Sequence, residues 1–282
     1  MRYLVYDVFT DTKFSGNPLA IVFDAADLET SQMQAIAAEF GYSETTFVLP
    51  PEAADHTARV RIFTPTAELA FAGHPTVGTA TALFDDGGAA EQILELGVGP
   101  IPVRIANGRA RFVTRVPLTA EHVLGPNDVA RCVGLDAGQI RTDRHAPVLA
   151  GLGTEFTLAE LSGMDALRAA SSDAGRFRAV AGPEAHRLAV FVYVRDGDRI
   201  AARMFQPLGG ITEDPATGSA VAALAAYLGR LDGVSARFEV SQGVEMGRPS
   251  RIDAEVTVEN GAPVAVAIEG AAVRVMEGHL IV

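Results

Sequence analysis

Two short stretches carry the residues best suited to chemistry. Phe71-Ala72-Gly73-His74-Pro75-Thr76-Val77-Gly78-Thr79-Ala80 and Glu213-Asp214-Pro215-Ala216-Thr217-Gly218-Ser219-Ala220 follow one plan about half a chain apart, with His74 aligned to Asp214, Pro75 to Pro215 and Gly78 to Gly218. An Arg-x-Phe-x-Pro segment precedes each, at Arg61–Pro65 and Arg203–Pro207. One long duplication predicts two similar domains rather than a solenoid. An imidazole and a carboxylate at equivalent places are then expected on opposite walls of one cleft, as an acid/base pair.

Each motif also reads as a helix start. A Pro at the first helical position loses no hydrogen bond, because the first N–H groups have no intrahelical partner. The small apolar residues that follow, Val77, Ala80 and Ala82 in one copy and Val221, Ala222 and Leu224 in the other, predict helices buried on all sides. The bare backbone of Gly73 and Gly218 at such helix ends could hold a small carboxylate. Asp214 could equally serve as an N-cap. Thr79 and Ser219, in the first turns, could hydrogen-bond a substrate.

Glu44 stands out because it opens a strand otherwise made of Thr, Phe and Val. Buried among apolar neighbours its pKa would rise, as a carboxyl acid/base working near neutral pH requires. An exposed glutamate at a strand end is the plainer reading of the same residue. His56, His122, His145, His186 and His279 read as ordinary hydrogen-bonded or exposed side chains. Ser-His-Asp context and a Gly-x-Ser-x-Gly elbow are both missing, so nucleophilic hydrolysis is disfavoured. The one lysine, Lys13, is not in a P-loop, and the one cysteine, Cys132, excludes a two-thiol racemase site and an intrachain disulfide. No metal-ligand motif is found.

The elements that must position these residues follow from hydrophobic pattern and turns. Strands are predicted over 2–9, 19–23, 42–49 and 58–63, with a helix capped by Thr30 or Ser31 and ended by Gly41. Asn107-Gly108 and Asn260-Gly261 predict tight hairpins, the first joining 101–106 to Arg109–Thr114 and the second joining Asp253–Val258 to Val264–Ile268. Residues 115–126 read as a linker, 127–133 and 162–181 as helices, and 188–194 and 199–206 as strands. The 282 residues, with a net charge of −12 and no basic run, suit two medium domains and argue against nucleic acid or an anionic membrane as partner. The expectation is a cytoplasmic protein.

Asn17-Pro18-Leu19-Ala20, Ser43-Glu44-Thr45-Thr46-Phe47, Glu68-Leu69-x-Phe71-x-Gly73-His74-Pro75-Thr76, Glu213-Asp214-Pro215-Ala216-Thr217-Gly218-Ser219 and Gln242-Gly243-x-x-Met246-Gly247-Arg248-Pro249-Ser250 together resemble the phenazine-biosynthesis isomerase (PhzF-like) family. The match runs in order over nearly the whole chain. Ala70 departs from it, standing where many relatives have Pro in the loop. The resemblance implies an α+β, diaminopimelate-epimerase-like fold, with two pseudo-symmetric domains (1–118 and 119–282) that each wrap a mostly antiparallel sheet around a central helix. The last strand is expected to pack with the first domain.

The resemblance also implies catalytic roles for Glu44, His74 and Asp214. A substrate shell of Asn17, Gly73, Gly218 and Ser219 is implied with them, as are chemistry without cofactor or metal, a small carboxylate substrate and a homodimer. The implied reaction is a proton shift across an allylic system of a cyclic amino or hydroxy carboxylate. A racemase or epimerase is the alternative enzyme, and a metabolite-binding protein without turnover the alternative of another class. Activity is expected to survive exhaustive dialysis against chelator, and loss of turnover restored by an added metal would overturn that expectation.

Overall fold

The computed structural model of the chain describes residues 1–181 and 188–281. They form two compact units, Met1–Val113 with Ile268–Val282, and Thr114–Ala267.

In the first unit β1 (Arg2–Val8) pairs antiparallel with β2 (Asn17–Val22), and α1 (Thr30–Phe40) leads to β3 (Glu44–Leu49). β3 lies parallel to β2 and antiparallel to β4 (Ala58–Phe63), against which the short β5 (Glu68–Leu69) folds back. Then come α2 (Gly73–Asp85), β6 (Glu91–Leu96) parallel to β4, and the antiparallel β7 (Gly99–Ala106) and β8 (Arg109–Thr114). The last strand, β17 (Ala262–His279), pairs with both β1 and β8. The ring of strands therefore closes through β1, β2, β3, β4, β6, β7, β8 and β17. α2 is buried from Gly73 to Ala82 and packs against β1, β2, β3, β6 and β7.

The second unit contains β9 (Thr119–Glu121), α3 (Pro126–Val133), β10 (Val148–Leu152), β11 (Thr154–Glu160), α4 (Met164–Ala169) and α5 (Ala174–Val180). These are followed by β12 (Val190–Asp196), β13 (Arg199–Gln206), β14 (Ile211–Asp214), α6 (Gly218–Asp232), β15 (Ala236–Gln242) and β16 (Ser250–Glu259). From β10 onward the pairings repeat those of β1 to β7: antiparallel β10–β11, parallel β11–β12, antiparallel β12–β13 and β13–β14, parallel β13–β15, antiparallel β15–β16. α6 is buried from Gly218 to Gly229, apart from Ser219. The fold is α+β, and in each unit a mostly antiparallel sheet packs around one apolar helix.

Local chemistry accounts for most elements and for the departures from the pattern-based reading. Asn107-Gly108 and Asn260-Gly261 turn with φ of 52° and 72°, and 52° and 77°, the double positive φ that a two-residue hairpin needs. The cap of α1 is Glu29, in a reciprocal box with Gln32, rather than Thr30 or Ser31. The helix expected over 162–181 breaks in two, because the Asp173 carboxylate caps α5 by accepting the Arg176 N–H. The predicted strand Val264–Ile268 is part of an 18-residue strand, and the predicted linker contains β9. Neither motif Pro opens its helix: Pro75 is the third residue of α2, and Pro215 lies before α6, whose N-cap is Thr217.

The fit of α2 within its sheet is close at Gly78, where a Cβ would come 2.6 Å from Leu19 Cδ2 and 2.7 Å from Val8 Cγ2. Gly78→Val is expected to overpack this contact and destabilise the protein by about 1–3 kcal/mol. Urea unfolding of the two proteins measures it, and an unchanged midpoint would contradict the packing described.

Candidate active site

Within the first unit, β2, β3 and α2 bring Asn17, Glu44, Gly73 and His74 together. Asn17 is the first residue of β2 and Glu44 the first of β3, and the parallel register of the two strands sets Glu44 opposite Leu19. Gly73 and His74 open α2, so the parallel strand starts and the helix start converge. His74 is 4% exposed and the Glu44 side chain 14%. Glu44 is therefore a sheltered carboxyl, not an exposed strand end.

His74 Nδ1 lies 3.5 Å from Glu44 Oε2 and 3.5 Å from Asn17 Nδ2. Burial pulls the imidazole down to about 3, so it is neutral at physiological pH and its approach to Glu44 is not an ion pair. The Ser43 hydroxyl donates to Asn17 Oδ1 at 3.1 Å, which turns the Asn17 NH2 group toward His74 Nδ1. That nitrogen is then the acceptor, and Nε2 carries the proton. Nε2 is buried with no hydrogen-bond partner. Thr79 points elsewhere: it is fully buried, 3.0 Å from Thr46 Oγ1.

In the second unit Asp214 ends β14, is 5% exposed and accepts a hydrogen bond at Oδ2 from the Thr217 hydroxyl. It is not the helix cap; Thr217 holds that place. Gly218 and the half-buried Ser219 form the first turn of α6.

A repeated ion pair fastens each motif to its sheet. Arg61 Nε and Nη2 donate to the two oxygens of Glu68, both at 2.7 Å, and Arg203 Nε and Nη2 donate to those of Glu213, at 2.8 and 2.7 Å. Such forked pairs fix geometry as well as charge. Arg203 is 7% exposed, and its Nη1 also donates to the carbonyls of Leu167 and Ala170 at the end of α4. The Arg-x-Phe-x-Pro signal thus marked a positioning device, though the acidic partners could not be paired from spacing alone.

The strand registers show that Glu44 has no acidic counterpart. Arg61 faces Phe47 and Arg203 faces Val192, so the place of Glu44 in the second unit belongs to Ala189.

The other expected residues are structural. His56 pairs with Glu95 at 2.7 Å, His122 Nδ1 meets the Pro147 carbonyl, His145 contacts Ala146 O and Tyr193, and His279 ends β17. His186 lies outside the described residues. Burial pushes the Cys132 thiol up to about 11, leaving it inert as a nucleophile. Among the described residues no group of three or more His, Cys, Asp or Glu could hold a metal ion, and no helix is long and apolar enough to cross a membrane.

The duplicated sheet-and-helix fold and the cluster of carboxyl, neutral imidazole and amide suit an isomerase, the class to which the relatives belong. Residues 6–278 match the family described as PhzC-PhzF, phenazine biosynthesis-like protein, and the chain belongs to that family. It is 37% identical to an uncharacterized isomerase of Mesorhizobium japonicum, over 100% of this chain and 99% of the relative. It is 36% identical to the trans-2,3-dihydro-3-hydroxyanthranilate isomerase of Pseudomonas aeruginosa, over 99% and 98%. A crystal structure of a PhzF-family phenazine biosynthesis protein from Bacillus anthracis superposes with a TM-score of 0.89 at 28% identity, over 100% of this chain and 99% of that one.

The buried neutral His74 predicts a pH effect on stability. Its folded value, about 3, lies below the unfolded 6.5, so between these limits the unfolded chain binds more protons and stability falls as pH falls. Urea midpoints measured from pH 7 down to 4 should decline, and His74→Asn should remove part of the slope. An unchanged slope would mean that His74 is solvated or protonated in the native protein.

Proposed function

We propose that this isomerase moves a proton across an allylic system of a small cyclic amino or hydroxy carboxylate, of the kind named for the Pseudomonas aeruginosa relative. The observation that carries the reading is the sheltered Glu44 carboxyl 3.5 Å from a neutral, buried imidazole.

Glu44 takes the proton as a carbon–hydrogen bond breaks, the double bond moves one position, and Glu44 returns the proton to the far carbon. Atoms and electrons balance without an oxidant or reductant. While Glu44 holds the proton it can donate to His74 Nδ1, an acceptor in the tautomer that Asn17 sets. The imidazole cannot take the proton for itself, because burial disfavours its charged form. His74 Nε2–H, with no partner of its own, is the donor for a polar group of the substrate. The backbone at Gly73 and Gly218, in the first turns of α2 and α6, favours an anion. Neither helix is closed by its N-cap side chain. Asn17, Ser219 and the Asp214 carboxylate complete the proposed set of contacts.

Glu44→Gln keeps the shape and removes the proton acceptor. Turnover of trans-2,3-dihydro-3-hydroxyanthranilate, followed by its ultraviolet change, should fall by at least ~100-fold, the scale of a positioned acid/base group. Binding should largely survive, whereas His74→Ala should cost both binding and rate. In deuterated water a double-bond shift separates this reaction from simple inversion at a stereocentre. Near-normal turnover by Glu44→Gln would remove Glu44 from the mechanism.

A further inference from the structure

The Gln242-to-Ser250 segment has no place in the mechanism above, yet it packs directly on Asp214. Gln242, the last residue of β15, is fully buried. Its Nε2 donates to the Asp214 carbonyl at 2.7 Å and to Thr217 Oγ1 at 2.9 Å, and its Oε1 accepts the Thr217 N–H at 3.1 Å. Ser250 Oγ holds the same corner through the Pro215 and Gln242 carbonyls, at 2.8 and 3.1 Å. Gly243, at φ 76°, allows the close approach: a Cβ there would lie 2.7 Å from Pro215 O.

The first unit lacks this arrangement. Arg59 faces Glu95 across β4–β6 and Ala201 faces Ser241 across β13–β15, so the counterpart of Gln242 is Leu96. Met204 faces Asp214 and its equivalent Ile62 faces Leu69, so the counterpart of Asp214 is Leu69. Thr217, the N-cap of α6, matches Ala72, the N-cap of α2, and Gly218 matches Gly73. The Thr217 N–H has no partner within α6, because the first N–H groups of a helix have none, and the Gln242 amide satisfies it together with the Asp214 carbonyl.

We propose that Gln242 is a positioning residue: it holds the chain at Asp214 extended and, through Thr217, aims the Asp214 carboxylate. Thr217 Oγ1 has one proton. Because it accepts from Gln242 Nε2, that proton goes to Asp214 Oδ2, and the relay runs in one direction, Gln242 to Thr217 to Asp214. The second motif thereby presents a fixed carboxylate from extended backbone where the first presents an imidazole from a helix. The inference rests on the proposed part of Asp214 in the reaction.

The test removes the hydrogen-bonding group of each relay member, with Gln242→Leu and Thr217→Val, beside Thr217→Ser and Asp214→Asn. All are assayed for kcat and KM on trans-2,3-dihydro-3-hydroxyanthranilate and for amide exchange across residues 211–221. Gln242→Leu and Thr217→Val should each lower kcat by about 10- to 100-fold, as a misplaced reacting group does. Thr217→Ser, which keeps the hydroxyl, should stay within about 3-fold of the parent, well short of one misplaced group. The double variant should be no slower than the worse single one, because both act through one carboxylate. Gln242→Leu should also lose exchange protection at the Thr217 N–H, a readout independent of turnover. Should it fail to fold, the contrast between Thr217→Val and Thr217→Ser decides alone. A slow Asp214→Asn with normal Thr217→Val and Gln242→Leu would overturn the relay and leave the proposed function standing. A normal Asp214→Asn would overturn both the relay and the part assigned to Asp214.

Discussion

Burial of a helix start inside a sheet is the constraint on which this site depends. The first turn of α2 is buried, so His74 stays neutral and Asn17, itself oriented by Ser43, becomes the partner that sets the imidazole's tautomer. A histidine on the surface would titrate near neutrality and compete for the proton that Glu44 is proposed to carry. Enclosure also explains the composition of the helix, since ten consecutive buried residues from Gly73 to Ala82 leave room only for small or apolar side chains.

Duplication supplied two copies of the framework, and the copies diverged where chemistry is concerned. The pairing order and the forked Arg–Glu pairs are kept, Arg61–Glu68 in one unit and Arg203–Glu213 in the other. What changed is a handful of side chains: Glu44 stands against Ala189, Leu69 against Asp214, His74 against Ser219, Leu96 against Gln242. The proton carrier proposed at Glu44 is needed once, and a second carboxyl at the buried Ala189 would add an unneeded buried charge. The change from Leu96 to Gln242 has a larger structural effect than its size suggests, because an amide can satisfy a backbone carbonyl and an N–H together and a hydrocarbon cannot.

The sequence by itself determined the repeat, the two hairpin turns and the two buried helices. These are local or periodic properties: Asn-Gly accepts positive φ, Arg-x-Phe-x-Pro recurs ahead of each helix, and an all-round apolar helix has to be enclosed. Glu44 was visible as a carboxyl out of keeping with its strand, but its sheltered state was not, because burial depends on β2 and α2, which approach it only in the folded unit.

Tertiary structure alone decided the rest. The helix expected over 162–181 broke because Asp173 caps a new start, a local bond that periodicity does not register. The expected alignment of His74 with Asp214 gave way to one in which Gly73 and Gly218 open their helices and Asp214 takes the ladder position of Leu69, because strand pairing, not motif spacing, sets which residues are equivalent. His74 became a neutral donor rather than a titrating acid because the folded unit buries it. Hydrogen-bond satisfaction and desolvation are set by whatever the fold brings near, and those neighbours are not written in the spacing of the residues they control.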